Sequence, residues 1–444
     1  MNKKGFTLIE LLAVIVILAI IAVITTPVIL NVIEGARLNS AKDKAWGTID
    51  AARLAYSKDQ TSSGENELYT LGTPITFGSG NEKVGSAKIT VSGERAKSGT
   101  VVIDKDGKII ASALQFGNYY CSTINSKEDK TINPNKMVCS KEKKDVVMEE
   151  RAADKLKENV VTTGDGLYAD TTEEGRYIYR GVNPNNYIKL GTDTYRIISV
   201  ESDNTLKVIK NGSIGSKEFD EQTARFFTTS TDYCYGSELD KYGGCKVWGS
   251  KTTMLDTNGN NVTQMPREVG GTLYNLPEKE ATLNTYLNND WYNLLDNNIK
   301  SKIETHLFNV GGINIDETSL SNTIAQEATY KWEGKVGLMN PSDYVKASTN
   351  SACDSVNAYY SNSSCYDNSE THNWVFAGPV ARGYSWTIAL NIKVFMNRVF
   401  MVRASGNLDS TVPLSGLGVA PVFYLSSDIT LSGKGTEAEP YQIK

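Results

Sequence analysis

The chain has 444 residues, with 51 acidic and 46 basic side chains and a formal net charge of −5. That balance argues against general nucleic-acid binding, which favours a basic footprint, so nucleic acid is not an expected partner. The length exceeds the usual size of one domain and suggests about two or three compact units.

Lys3, Lys4 and Gly5 precede Phe6-Thr7-Leu8-Ile9-Glu10, and Leu11 to Ile24 runs on without a polar residue. A basic flank followed by an unbroken apolar run without Gly or Pro reads as a membrane-spanning helix. Phe6 to Ile33 would rise roughly 40 Å as a helix, at about 1.5 Å per residue, against a hydrocarbon core of about 30 Å. A cleaved secretory signal fits less well. Ala19 and Ala22 stand at the wrong spacing for a small-x-small site, and hydrophobicity continues past them to Ile33. Glu10 is a carboxyl group one turn into the apolar helix. An acid at bilayer depth costs about 2.5 to 3.5 kcal/mol on insertion scales, so it calls for a partner or a function.

Lys3-Lys4-Gly5-Phe6-Thr7-Leu8-Ile9-Glu10 resembles the processing site of type IV prepilins and related pseudopilins. In that family a membrane peptidase cuts after the glycine and methylates the new amino terminus. The resemblance implies a leader of residues 1–5, cleavage between Gly5 and Phe6, and a prepilin peptidase/methyltransferase as partner. It also implies that Glu10 of an incoming subunit meets the Phe6 amine of a neighbour, neutralising two charges that lipid disfavours. Glu10 is then an assembly residue; the plain alternative places it at headgroup level. Pro27 matches a proline of the family. It has no N–H to donate and its ring clashes with the Val23 carbonyl, so a bend or opening is expected, with Thr25 and Thr26 re-satisfying freed carbonyls. Where many family members carry a helix-loosening glycine, this chain has Ala19.

After Pro27 the helix is expected to continue to about Ser57. Leu38, Ala41, Ala45, Ile49, Ala52 and Tyr56 form one apolar stripe, and Arg37, Lys42, Lys44 and Asp50 fall largely away from it. Gln60 to Gly85 reads as a loop. Strand-like segments follow at Lys88–Val91, Thr100–Ile103 and Ile109–Ala113, the last two joined by the turn Asp104-Lys105-Asp106-Gly107, with Leu114–Cys121 as a candidate fourth strand. A long helix covering a small antiparallel sheet, then a cysteine-closed loop, is the pilin head that the resemblance implies. The expected division is a membrane half at 6–33, a head at 34–139, a helical linker at 140–163 and a second module at 164–444. In the linker, Met148, Ala152, Leu156 and Val160 recur at four-residue steps among mixed charges.

The second module reads as mixed α+β, so the whole chain is expected to be α+β. Tyr177–Tyr179, Tyr187–Leu190, Thr194–Val200 and Leu206–Ile209 suggest a strand meander, and Leu283 to Ile303 a helical stretch. Tyr195 to Val200, Leu283 to Leu287, Gly337-Leu338-Met339 with Ser342-Asp343-Tyr344, and Ala420 to Leu425 resemble an uncharacterised module of bacterial surface proteins. The resemblance leaves a C-type-lectin-like fold open and supplies no activity to inherit.

Six cysteines fall into three sequence-local pairs: Cys121 with Cys139, Cys234 with Cys245, and Cys353 with Cys365. None has C-x-x-C spacing and the only histidines are His306 and His372, so a structural metal is not expected. An exported location favours three loop-closing disulfides; six buried thiols are the alternative. No cofactor motif, phosphate loop or catalytic triad stands out. Asp256, Asn258 and Asn260 have calcium-loop spacing, but Arg267 occupies the place of the required Glu. Trp291, Trp332, Trp374 and Trp386 read as core residues ahead of a sugar-stacking surface.

Three functions follow as expectations. The first is a type IV pilin-like subunit, single-pass in the cell membrane with a cytoplasmic N-terminus and lipid around its stem, then built with other pilin subunits into an extracellular filament. Its outer module would serve adhesion or partner binding, toward a host or surface ligand. The second is a pseudopilin of a type II secretion or DNA-uptake machine, and the third a membrane-tethered surface enzyme; no catalytic residues are assigned.

Overall fold

The computed structural model describes residues 8–63, 73–103, 107–123, 137–141, 143, 151–221, 230–234, 244–268, 270–380, 383–393, 398–427 and 429–443. Two compact units divide the chain, Met1–Met148 and Glu149–Lys444. Both mix helix and sheet, as expected of an α+β chain.

The first unit opens with one helix, Leu8–Ser63, uninterrupted through Pro27. Its character changes along its length. The described apolar side chains between Leu8 and Ile33 are exposed, whereas Ala41, Ala45, Ile49, Ala52 and Tyr56 are buried and Leu38 is half-buried. These are the positions of the predicted stripe, and Thr48, Ala55 and Asp59 widen it. Against the stripe lies a five-stranded antiparallel sheet, in the order Thr73–Phe77, Ser98–Ile103, Ile109–Phe116, Tyr119–Ser122, Val138–Ser140. Val101, Ile103, Ile109, Leu114 and Phe116 share one core with the helix.

Three details differ from the sequence reading. The segment read as a loop from Gln60 to Gly85 contains the end of the helix, the strand Thr73–Phe77, and one arm of a small hairpin, Lys83–Val84 with Ala87–Lys88. Ile75 and Phe77 point inward while the backbone pairs with Gly99 to Ile103, so two large apolar residues outweigh the turn-forming neighbours. The expected strand Lys88–Val91 shrinks to that hairpin arm. Leu114 to Cys121 is two strands, broken by a turn at Gly117, whose φ of 57° suits glycine. Asp104 to Asp106 lie outside the described residues.

In the second unit the largest sheet has ten strands. Its main path runs Ile303–Glu304, Val422–Leu425, Leu206–Lys210, Asp193–Val200, Tyr187–Leu190, Tyr441–Ile443, Leu431–Ser432. The predicted meander is its centre, and the turn after Val200 closes on Asn204 at φ 68°, with Asp203 accepting from the Thr205 N–H and hydroxyl. A second, five-stranded sheet is centred on Ser385–Leu390 and Val399–Val402. The core is aromatic: Trp248, Trp374, Trp386, Tyr195, Tyr344, Phe219 and Phe423 are among its largest fully buried side chains.

The stretch expected to be helical from Leu283 to Ile303 is interrupted. Thr282–Tyr286 leads into a π-helical turn, Leu287–Trp291, and Asp296 caps a separate turn, Asn297–Lys300, by accepting from the Asn298 N–H. Ile303 then enters the large sheet. Of the 140–163 segment, the described helix is Ala152–Lys157, and it belongs to the second unit: Ala152, Ala153 and Leu156 lie in that core, while Val160 is exposed.

Candidate functional site

The stem is the first candidate. The most hydrophobic 18-residue window of the N-terminal helix has a mean hydropathy of 3.1 and is 0% buried. Apolar residues all round a helix suit lipid or other helices. Glu10 stands in its first described turn, on the exposed part. Gly5 and Phe6 lie outside the described residues. At Pro27, the Thr25 hydroxyl donates to the Ile21 carbonyl at 2.8 Å and the Thr26 hydroxyl to the Ala22 carbonyl at 2.5 Å. These bonds serve the carbonyls just before the Val23 position, and the helix continues through the proline where an opening was expected.

Where the stem meets the head, Glu34 is the first charge after the apolar run. One carboxylate oxygen accepts from the Tyr119 hydroxyl at 2.9 Å and the other meets Lys141 Nζ at 2.8 Å. Tyr119 opens the strand Tyr119–Ser122, and Lys141 directly follows the strand Val138–Ser140. Cys121 and Cys139 stand opposite each other on those two strands and are disulfide-bonded. Glu34 therefore ties the helix to the cross-linked edge of the sheet. It carries no motif, although its place at the end of the apolar run could have marked it.

The second unit holds a buried ionic cluster. Arg176, 7% exposed, reaches Glu173 at 2.6 Å, Asp343 at 3.0 Å, Glu201 at 3.1 Å and Asp170 at 3.2 Å. Lys207 Nζ lies 2.6 Å from Asp343, and Lys346 Nζ 2.7 Å from Asp170. Burial pushes the Asp343 carboxyl up, but the Lys207 and Arg176 charges outweigh it and hold the group well below the usual carboxylate range. Glu327, beside it, accepts from the Ser342 N–H at 2.9 Å and the Ser342 hydroxyl at 2.5 Å. Burial pushes its pKa up to about 7. Two neighbouring carboxyls are thus driven apart, a pattern found in acid–base sites. Here they are 1% and 2% exposed, locked between the helices Leu320–Glu327 and Pro341–Lys346, and the arrangement braces packed elements.

The remaining candidates resolve locally. Cys234 bonds to Cys245 and Cys353 to Cys365. His306 stacks on Tyr424 with ring centroids 3.7 Å apart, while His372 is held between the Ser348 hydroxyl and the Cys365 carbonyl, so the two histidines serve separate places. Asp256 accepts from the N–H groups of Asn258 and Asn260, which makes its loop a self-satisfied turn. Trp291, Trp332, Trp374 and Trp386 are all buried. No cluster of His, Cys, Asp and Glu suited to a metal occurs among the described residues.

A membrane-length apolar helix with an acid near its tip, continuing into an α+β unit, is consistent with a helix-anchored subunit. Residues 1–26 match the family model described as the prokaryotic N-terminal methylation motif. The motif supports a type IV pilin-like or pseudopilin subunit, and it implies processing by prepilin peptidase and assembly with other pilin subunits. No curated protein and no solved structure matches the chain.

Proposed function

We propose that this chain is cleaved after Gly5 and built through its N-terminal helix into an extracellular filament that displays residues 149–444 for adhesion. The helix on its five-stranded sheet serves as a pilin head, and the outer unit binds a surface partner without catalysing a reaction. One observation carries the reading: a 56-residue helix, one face of whose second half is buried on a sheet, leaves its largely apolar first half bare. Bare apolar surface of that extent needs a cover. Lipid supplies it before assembly, and neighbouring stems afterwards, with Glu10 meeting the Phe6 amine.

The test is direct. The mature protein should begin at Phe6 by N-terminal sequencing, and Glu10→Ala should reduce incorporation into sheared filaments to background while leaving the chain in the membrane fraction. A different mature terminus, or full incorporation of the variant, would refute the assembly reading. Wild-type cells without filaments, together with loss of secretion or transformation on gene deletion, would favour the pseudopilin role.

A further inference from the structure

We propose that the second unit binds an anionic saccharide in the groove between the hairpin turn at Gly191, the Asn297–Lys300 turn and the C-terminal strand Tyr441–Ile443. The groove has a volume of about 630 Å³ and is lined by Lys189, Lys302, Asn298, Ser301 and Gln442 over an apolar floor that includes Ile299. Among the described residues, no carboxylate lines it. That is notable in a chain of net charge −5, where nearby cations are engaged: Lys210 pairs with Asp193 at 2.9 Å and Lys300 Nζ donates to the Asn293 carbonyl at 3.2 Å. Lys189 and Lys302, by contrast, form no ion pair among the described residues.

Two free ammonium groups beside one cavity attract a carboxylate, sulfate or phosphate group. The amide and hydroxyl side chains of Asn298, Gln442 and Ser301 can both donate to and accept from sugar hydroxyls, and Ile299 with Ile443 offers apolar surface to a ring's C–H face. A neutral sugar would leave both lysines unanswered. A lone small anion would leave most of the groove unfilled. The backbone frame is fixed, since Lys189 lies in a strand paired on both sides and the Lys302 carbonyl accepts from the Ser426 N–H.

This inference rests on the binding role proposed for the outer unit, and its test is separable from assembly. The full chain in detergent micelles is titrated with a fluorescent heparin oligosaccharide, with dextran as the neutral counterpart and inorganic phosphate as competitor. Heparin should bind and dextran should not, and Lys189→Glu with Lys302→Glu should weaken binding by about tenfold or more. The charge-matched control, Lys83→Glu with Lys88→Glu in the first unit, should bind heparin as the unaltered chain does. Equal losses in both double variants, no loss in the groove variant, or no heparin binding at all would overturn the proposal. Displacement by millimolar phosphate alone would show a simple anion site and overturn the saccharide part. If the groove variant unfolds early by circular dichroism, Lys189→Gln with Lys302→Gln replaces it under the same criteria. Filaments that assemble normally without heparin binding would sink this inference alone.

Discussion

The two units solve the burial problem with different materials. In the first, the helix meets its sheet mainly through alanines, at positions 41, 45, 52 and 55, and an ion pair such as Lys44 with Glu94 at 2.5 Å sits at the surface. In the second, the core is filled by large aromatics, and a cluster of charges is taken inside with it. Small side chains let a continuous helix lie close along a sheet without committing it to one deep anchor. A large irregular unit with many short strands gains definition from partners that must be matched, because each buried charge left alone is costly.

If the contrast is sound, the largest effect should come from the buried cluster. Arg176→Met leaves four carboxylates facing two lysines, and should destabilise the second unit by about 3–5 kcal/mol in urea unfolding. Replacing Cys353 and Cys365 together by Ser removes a cross-link closing a separation of 12 residues and should cost about 2–4 kcal/mol, without shifting the unfolding of the first unit.

The pH response sharpens the comparison further. Asp170 and Asp343 have pKa values below their ordinary 3.8, so their contribution is present above that value and is lost as the pH falls through the lowered ones. Glu327 runs the other way: raised from 4.5 to about 7, its contribution is full below 4.5 and is lost as the pH rises through 7. The second unit should therefore be most stable at mildly acidic pH. Glu327→Gln should raise its melting midpoint at pH 8 by roughly 2–4 °C and leave it unchanged near pH 5. A melting curve indifferent to this substitution at pH 8 would break the assignment. The smallest effect belongs to the first unit's surface: Lys44→Ala should change its stability by less than about 1 kcal/mol.

Legibility in the sequence followed the range of the interactions. The apolar stem and the alanine stripe were readable because a helix repeats its environment every few residues, and the central strands from Tyr187 to Lys210 because their neighbours are adjacent in the chain. Thr73–Phe77 was hidden by its composition, since only pairing with a strand some 25 residues on reveals Ile75 and Phe77 as inward. The ionic cluster was hidden by distance, for Arg176 and Asp343 are separated by 167 positions. Ser342-Asp343-Tyr344 stands out as a motif, yet nothing in the sequence tells that its acid, on the helix Pro341–Lys346, faces the arginine that precedes the strand Tyr177–Arg180. The groove proposed for an anionic saccharide has the same character: Lys189, Lys302 and Gln442 meet only through folding.

The placement of the three disulfides has a consequence for separating the second unit from the stem. Each closes a ring inside one unit, Cys121 with Cys139 in the first and the other two pairs in the second, so no sulfur bridge spans the boundary. A single proteolytic cut between Cys139 and Glu149 would leave no covalent link to the stem, even in an oxidising medium. Separating the second unit from the stem would thus need one peptide bond cut and no reductant.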